Sequence, residues 1–213
     1  MTTASPTRDL HLTPNHHADY PAFAGLGGLL AALTFSVGRT ADADLAIRLT
    51  QAGPGDDILD VGCGPGVAVR RTAAMGASSV VGVDPAPVML RVARALGAPR
   101  RNSTVRYRVG AAEELPVADD SASVLWSLAT VHHWRDLTAG LAEARRVLRP
   151  EGRFLAIERH VTPGATGHGT HGWTEDQARR FAESCATAGF ADVGISQHRA
   201  GKKPVLAVLA KRP

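Results

Sequence analysis

ILDVGCGPG, residues 58–66, is the stretch that decides the fold. It begins as a mainly apolar strand and continues with glycines at three alternate positions, before a helical pattern starts at residue 67. Because glycine has no side chain, the backbone of such a loop can approach a ligand closely. The stretch therefore predicts a strand, a ligand-binding turn and a helix. A turn that needs positive φ explains one or two of the glycines equally well.

Short β-branched runs alternate with longer helical patterns from residue 57 onward, which predicts an α/β fold with a parallel sheet covered on both faces. The successive segments are DILDV, VAVRRTAAMG, SVVGVD, PVMLRVARALG, TVRYRV, SVLWSL, LAEARRVL and GRFLAIE. A capping box of Thr174 and Gln177 then predicts the start of a last helix. Two further strands are predicted near residues 193–198 and 204–211.

The composition fits a single domain over residues 1–213. The chain has 213 residues, of which 44% are hydrophobic and 21% charged, enough for one sizeable core. Helical patterns around 25–37 and 42–52 predict a helical N-terminal cap or lid within residues 1–52. Residues 56–160 then form the cofactor-binding core, and residues 161–213 supply a substrate-side rim, the last helix and the last strands.

Charge and cysteine usage narrow the function classes. The formal charge is +4 and the pI near 9.6, but Lys and Arg are scattered rather than gathered in a dense run, so no nucleic-acid partner is expected. Cys63 and Cys185 belong to no CxxC pair, which favours a reducing compartment. The apolar stretch 22–37 is interrupted by glycines and shorter than the ~20 residues of a spanning helix. We therefore expect a cytoplasmic protein without a membrane span.

The spacing of the glycine loop separates two classes of ligand. A dinucleotide fingerprint, G-x-G-x-x-G, has its third glycine at the position of Val67 and holds a pyrophosphate. The loop here is G-x-G-x-G and follows Asp60, whose carboxylate repels phosphate but suits a ligand with a positive amino group. A nicotinamide-dependent oxidoreductase is also disfavoured because the chain has no Tyr-x-x-x-Lys pair.

Asp84 ends the second predicted strand, VVGVD at residues 80–84. An ionised aspartate in this position can accept hydrogen bonds from both hydroxyls of a ribose. The alternative is that Asp84 caps the next helix, with Pro85 in its first turn. Because Asp84 follows the glycine loop by about twenty residues, as in the fingerprint logic, the pairing favours the ribose role.

At this point the sequence resembles the class I S-adenosylmethionine-dependent methyltransferases, in particular the small-molecule branch that includes ubiquinone and menaquinone biosynthesis enzymes. The likeness runs from about Asp57 to Glu158. It consists of the ordered blocks ILDVGCGPG, VVGVDPAPVM, GAAEELPVADDSASVLW, ATVHHW and EARRVLRPEGRFLAIE. The resemblance implies a Rossmann-like three-layer sandwich whose seven-stranded, mostly parallel sheet contains an antiparallel last strand near residues 205–210.

The resemblance also implies which residues bind S-adenosylmethionine, all near the ends of successive strands. They are Asp60 and the backbone of Gly62 and Gly64 at the methionine end, Asp84 at the ribose, the N–H of Ala112 at the adenine, and the carbonyls of Ser127 and Leu128 beside the methionine. The family commonly has Asp at the position of Ala111, so Glu113 or main-chain carbonyls would accept from the adenine amino group instead. The usual Phe-Asp opening of the fourth strand is Ala122-Ser123 here.

Methyl transfer from a sulfonium is an in-line displacement, so holding the reacting atoms aligned is the main catalytic requirement. Where a base is needed, the sequence offers His133, Glu158 and His160, with His132, His168 and His171 on neighbouring loops. His133 could instead pack the start of the following helix. Because no helical H-x-x-x-H or Cys-His spacing is present, we expect surface histidines and no metal site.

The predicted function is therefore methyl transfer from S-adenosylmethionine to a small-molecule acceptor, with residues 20–30 as part of a lid over an apolar or aromatic acceptor. A non-catalytic, cofactor-binding or regulatory protein of the same fold is one alternative. Nucleic-acid methylation is another, disfavoured because no Asn/Asp-Pro-Pro-aromatic motif is present and aromatic residues are few. The sequence leaves a homodimer open.

Overall fold

The computed structural model describes residues 12–19, 25, 27, 28, 30, 40–97 and 104–213. Within these residues, five α-helices flank one sheet of seven strands. The helices are α1 (Thr40–Thr50), α2 (Val67–Ala74), α3 (Pro87–Leu96), α4 (Leu137–Val147) and α5 (Glu175–Thr187). The strands are β1 (Asp57–Val61), β2 (Ser79–Asp84), β3 (Val105–Val109), β4 (Ala122–Leu128), β5 (Leu148–Arg159), β6 (Ala191–Ala200) and β7 (Lys203–Lys211).

The sheet has the strand order β3-β2-β1-β4-β5-β7-β6. Strands β1 to β5 pair in parallel, and β7 lies antiparallel between β5 and β6. This confirms the predicted mostly parallel sheet with an antiparallel last strand. The chain turns back across β1 on passing from β3 to β4, so the carboxyl ends of β1 and β4 form the switch point where open α/β sheets bind ligands.

Two apolar cores separate the sheet from its helix layers. Leu59 on β1 points into the core shared with α4 and α5, whereas the neighbouring Ile58 points into the core shared with α1, α2 and α3. This alternation follows from the two-residue repeat of a strand, which sends successive side chains to opposite faces. The three-layer sandwich is therefore confirmed.

The helix starts are fixed by local chemistry. The predicted capping box of α5 is present, because Gln177 N–H donates to Thr174 Oγ1 and Thr174 N–H donates to Gln177 Oε1. Helix α3 begins at Pro87 rather than after Pro85, since Pro87 takes the first helical position, where no N–H is needed. None of the helices among the described residues is long and apolar enough to cross a bilayer.

The first described part of the N-terminal segment precedes the two predicted helical pieces. Residues 12–19, here called the strap, form turns whose backbone bonds to distant loops. The His17 N–H donates to His132 O (2.8 Å), and Trp173 Nε1 donates to Pro14 O (2.8 Å). Positions 25, 27, 28 and 30 are helical, and the remainder of the predicted lid at 20–30 lies outside the described residues.

A polar network joins the amino ends of β1, β4 and β5. The Ser123 hydroxyl donates to Asp56 Oδ1 (2.7 Å) and accepts from the Asp57 N–H (3.0 Å). Asp56 also pairs with Arg153, and Asp57 pairs with Arg149. An aspartate at position 123, common in the resembling family, would place a third carboxylate against Asp56 and Asp57. The serine avoids that repulsion and adds a donor.

Candidate active site

The glycine loop between β1 and α2 has left-handed backbone conformations at all three alternate positions. The φ angles are 75° at Gly62, 52° at Gly64 and 74° at Gly66, a region that favours glycine. A Cβ at Gly62 would lie 2.5 Å from Thr130 Cγ2, but a Cβ at Gly64 would meet nothing within 4 Å. Gly62 is thus required by packing, whereas the bare side of Gly64 faces open space that a ligand can reach.

Asp84, at the end of β2, holds this loop in place. Its Oδ2 accepts from the Gly64 N–H (2.8 Å), and its Oδ1 accepts from the Ala86 N–H (2.8 Å) just before α3. The side chain thus both fixes the glycine loop and caps the approach to α3, so the two interpretations of Asp84 are compatible. A carboxylate has about four acceptor positions, which leaves capacity for ribose hydroxyls.

The electrostatic character of the loop is negative. Burial raises the pKa of the Cys63 thiol well above its ordinary value, and the nearby carboxylates of Asp60 and Asp84 raise it further. Asp60 is buried at the end of β1. Two carboxylates beside one glycine loop disfavour a pyrophosphate and favour a cationic ligand.

The carboxyl end of β4 contacts the glycine loop through Thr130. The Thr130 hydroxyl donates to Val61 O (3.1 Å) and lies 2.6 Å from Ser127 Oγ. Ser127 and Leu128, the predicted methionine-side residues, are both buried at this strand end. The structure therefore brings the ends of β1 and β4 together at the place where the resemblance puts the methionine.

On the predicted adenine side, Glu113 has a second role. Its Oε1 accepts from the backbone N–H groups of Arg135 (2.6 Å) and Asp136 (3.2 Å), immediately before α4. This carboxylate holds the start of α4, and its role at the adenine amino group stays a prediction. Ala112 is buried, with its side chain in the core beneath α4.

Glu158, a predicted base at the end of β5, lies inside the protein. Its side chain is fully buried, and Oε2 lies 2.8 Å from His132 Nδ1. Alternation along β5 puts Glu158 on the same face as Phe154 and Ala156, so the side chain enters the α4–α5 core. Glu158 therefore orients the ring of His132.

Four histidines from three segments meet above β4 and β5. His17 comes from the strap, His132 and His133 follow β4, and His171 belongs to the loop after β5. One ring nitrogen of each lies within 4.8 Å of one nitrogen of each of the others. The expectation of surface histidines is wrong for His17 and His132, which are buried because the strap packs against the loop after β4.

The surroundings of these imidazoles favour the neutral form. Burial lowers the pKa of His17 to about 4, with a further contribution from His16 and the other histidines. Burial and the adjacent His132 lower the pKa of His133 to about 4 as well. His160 lies apart from this group, with Nε2 4.0 Å from Glu175 Oε1 at the start of α5.

Comparisons with known proteins agree with this architecture. A family model described as a methyltransferase domain matches residues 59–156. The malonyl-[acyl-carrier protein] O-methyltransferase of Serratia marcescens is 34% identical over 67% of this chain and 53% of that protein. A ubiquinone biosynthesis O-methyltransferase of Cereibacter sphaeroides is 34% identical over 62% of this chain and 51% of that protein.

A solved structure shows the same fold. The S-adenosylmethionine-dependent methyltransferase of Mesorhizobium loti superposes with a TM-score of 0.65 at 20% identity, over 81% of this chain and 98% of that one. The chain spans about half the length of the curated relatives it matches. The matched domain, the relatives and the glycine loop with its acidic partner agree, and residues 59–156 are similar to the methyltransferase domain of S-adenosylmethionine-dependent methyltransferases.

Proposed function

We propose that this chain transfers the methyl group of S-adenosylmethionine to a small-molecule acceptor bound at the carboxyl edge of the sheet. The observation that carries the proposal is the contact between the Gly64 N–H and Asp84 Oδ2 (2.8 Å). This contact joins the glycine loop, whose Gly64 faces open space, to the carboxylate that we expect to bind a ribose. We also propose that the chain is divided by function. Residues 1–52 would form a cap or lid, residues 56–160 the cofactor-binding core, and residues 161–213 the substrate-side rim with the last helix and strands.

The residues of the loop fit S-adenosylmethionine. The bare side of Gly64 faces open space, and the two carboxylates of Asp60 and Asp84 lie beside it. In this proposal Asp60, Gly62 and Gly64 hold the methionine end, and Asp84 holds the ribose. Ala112, Ser127 and Leu128 contribute backbone groups. When bound, S-adenosylmethionine supplies an electrophilic methyl group on a sulfonium.

The protein accelerates the transfer mainly by position. Gly62 and Thr130 interlock the ends of β1 and β4, so the acceptor is held in line with the bound cofactor by a rigid strand edge. For an acceptor that loses a proton, His133 and His160 are the proposed bases, and Glu158 supports the ring of His132 from behind. Alignment alone suffices for an acceptor that is already nucleophilic.

The acceptor in this proposal is small and apolar or aromatic. The basic residues are dispersed along the chain, which supports a small molecule over a nucleic acid. A cytoplasmic location and a homodimer remain predictions. In the non-catalytic alternative, the chain binds S-adenosylmethionine but transfers no methyl group from it.

The test combines binding with transfer. Calorimetry on the full chain should detect S-adenosylmethionine and S-adenosylhomocysteine with a Kd in the low micromolar range or weaker, about −8 kcal/mol. Incubation with S-adenosylmethionine labelled in the methyl group and a cell extract should then label the small-molecule fraction. Label only in nucleic acid or protein would overturn the small-molecule acceptor. Binding without any label would favour the non-catalytic alternative, and binding of NAD(H) in place of either ligand would remove the proposal altogether.

A further inference from the structure

We propose that His17, His132, His133 and His171 bind one divalent transition-metal ion of the Zn²⁺ class, and that this ion joins the strap to the carboxyl edge of the sheet. We call this set the histidine cluster. Its members lie far apart in the sequence, and the fold alone brings them together. The proposed metal site lies beside the glycine loop, and the proposal does not depend on methyl transfer.

The spacing of the ring nitrogens suits one shared ion. One nitrogen of each ring lies within 4.8 Å of one nitrogen of each other ring. Zn–N bonds of about 2.0–2.1 Å in a tetrahedron put ligand nitrogens about 3.4 Å apart. The longest separation would therefore have to shorten by up to about 1.4 Å when the ion binds.

Glu158 provides a second observation that points to a metal. The carboxylate is fully buried and accepts from the Nδ1 side of His132 at 2.8 Å, while its other oxygen lies 3.4 Å from the His132 N–H. A carboxylate behind a ligating histidine fixes the tautomer and directs Nε2 outward, as in many zinc sites. The cost of burying this carboxylate is offset if it compensates a cation in front of the ring.

Two other rings are also oriented by protein oxygens. The Nδ1 of His133 lies 3.4 Å from His17 O, and the Nε2 of His17 lies 3.1 Å from Thr170 Oγ1. In each case coordination would use the other nitrogen of the ring. The backbone beneath is fixed too, because the His17 N–H donates to His132 O. The cluster is thus preorganised rather than a chance crowding of side chains.

The ligand chemistry favours Zn²⁺ and related ions. Metal ligation uses the neutral form of imidazole, so binding of the ion would weaken as the pH falls. Imidazole suits Zn²⁺, Ni²⁺ and Cu²⁺, whereas Mg²⁺ and Ca²⁺ prefer oxygen. Four protein ligands make a closed site, which is typical of structural rather than catalytic zinc. The ion would hold the strap against the loops that follow β4 and β5.

The site and the base role of His133 exclude each other, because a nitrogen that coordinates a metal cannot also accept a proton. The spacing of histidines along the sequence predicted no metal site. Such spacing describes only ligands that lie close together in the sequence, and these four histidines come from separate segments. If the ion is present, the acceptor is deprotonated by another group or needs no base.

The direct test uses the full chain without a histidine tag. Purified protein is stripped with a chelator and titrated with Zn²⁺ in competition with a chromophoric chelator. We expect stoichiometric binding. His171→Gln should weaken it by at least about 100-fold, since loss of even a supporting residue costs about 10–100-fold. Glu158→Gln should weaken it by about 10–100-fold. The matched control is His198→Gln on β6, whose ring contacts Ser196 and lies outside the cluster.

Two further readouts distinguish a metal site from a structural role of the same residues. Co²⁺ should give the intense visible bands of tetrahedral nitrogen coordination in the unaltered chain, which needs no variant to fold. Hydrogen exchange at the His17 amide should slow when Zn²⁺ is added. Zn²⁺ binding that is absent, or equal in His171→Gln and His198→Gln, would overturn the proposal, as would Co²⁺ bands typical of octahedral coordination.

Discussion

The glycine loop and the histidine cluster lie side by side at one edge of the sheet, yet they are built in opposite ways. The loop is a single run of residues, 58–66, whose shape comes from backbone conformation and from one carboxylate, Asp84. The cluster takes its side chains from three segments and depends on the strap being seated. Thr130, two residues before His132, joins the two regions by packing on Gly62.

This difference separates what each region can tolerate. A loop held by backbone conformation keeps its shape when distant side chains change, so the same cofactor site can serve many acceptors. A cluster held by side chains from separate segments changes with any one of them. The glycine loop should therefore tolerate substitutions elsewhere in the chain, whereas the histidine cluster should be specific to this chain.

The largest effect is expected at the glycine loop. Asp84→Ala should weaken S-adenosylmethionine binding by about 3 kcal/mol or more, over 100-fold, because two hydrogen bonds to a charged acceptor are lost. Calorimetry gives the affinity, and circular dichroism checks the fold. Asp44→Ala, which removes an exposed carboxylate paired with Arg71 on α2, is the matched control. A loss below about fivefold, near 1 kcal/mol, would assign the ribose to another residue.

A change beside the histidine cluster should alter the stability of the protein and leave the affinity for S-adenosylmethionine unchanged. Glu158→Ala removes the buried partner of His132 and should lower the free energy of unfolding by about 3 kcal/mol. Urea denaturation measures the loss, and S-adenosylmethionine affinity should stay within about twofold. Glu175→Ala, an exposed carboxylate on α5, serves for comparison. Equal loss of cofactor affinity would show that the two regions are not independent.

The third prediction compares two glycines of the same loop. Gly62→Ala should cost about 2 kcal/mol of unfolding free energy, from left-handed strain and from displacement of Thr130. Gly64→Ala carries only the strain, about 1 kcal/mol, because its Cβ enters open space. It should instead reduce cofactor affinity. Similar stability losses for both variants would contradict the assignment of Gly64 to the ligand side.

The smallest effect lies at the opposite edge of the sheet. Ser123→Asp should lower the free energy of unfolding by about 1 kcal/mol, because it adds a carboxylate beside Asp56 and Asp57. Ser123→Ala removes the hydrogen bonds without adding charge and separates the two contributions. Thermal unfolding measures both variants. If Ser123→Asp proved more stable than Ser123→Ala, repulsion would not explain the serine at this position.

The sequence predicted the fold and the conformation of the glycine loop because both depend on local sequence. Glycine spacing and the alternation of apolar runs reflect backbone conformation and strand faces, which depend on neighbouring residues. The contacts of Glu113 and Glu158 could not be predicted, because each carboxylate meets a partner distant in the sequence, at Arg135 and at His132. Alternation with Phe154 could have placed Glu158 inside the core.

The histidine cluster could not be predicted from spacing. Its two loop segments follow β4 and β5, so the strand order alone would bring His132 and His171 to the same edge of the sheet. The strand order does not predict the position of His17, because the strap is held by contacts such as the one between Trp173 Nε1 and Pro14 O. Which loops meet is tertiary information that no local pattern contains.

The antiparallel position of β7 has a consequence for synthesis of the protein. Both β5 and β6 pair with β7, which follows them in the chain. Until residues 203–211 have left the ribosome, each of those strands has an open edge on the side that β7 later occupies. Unpaired strand edges are templates for aggregation, and closing them late makes folding slow. The nascent chain is therefore most exposed to misassembly just before this strand is inserted.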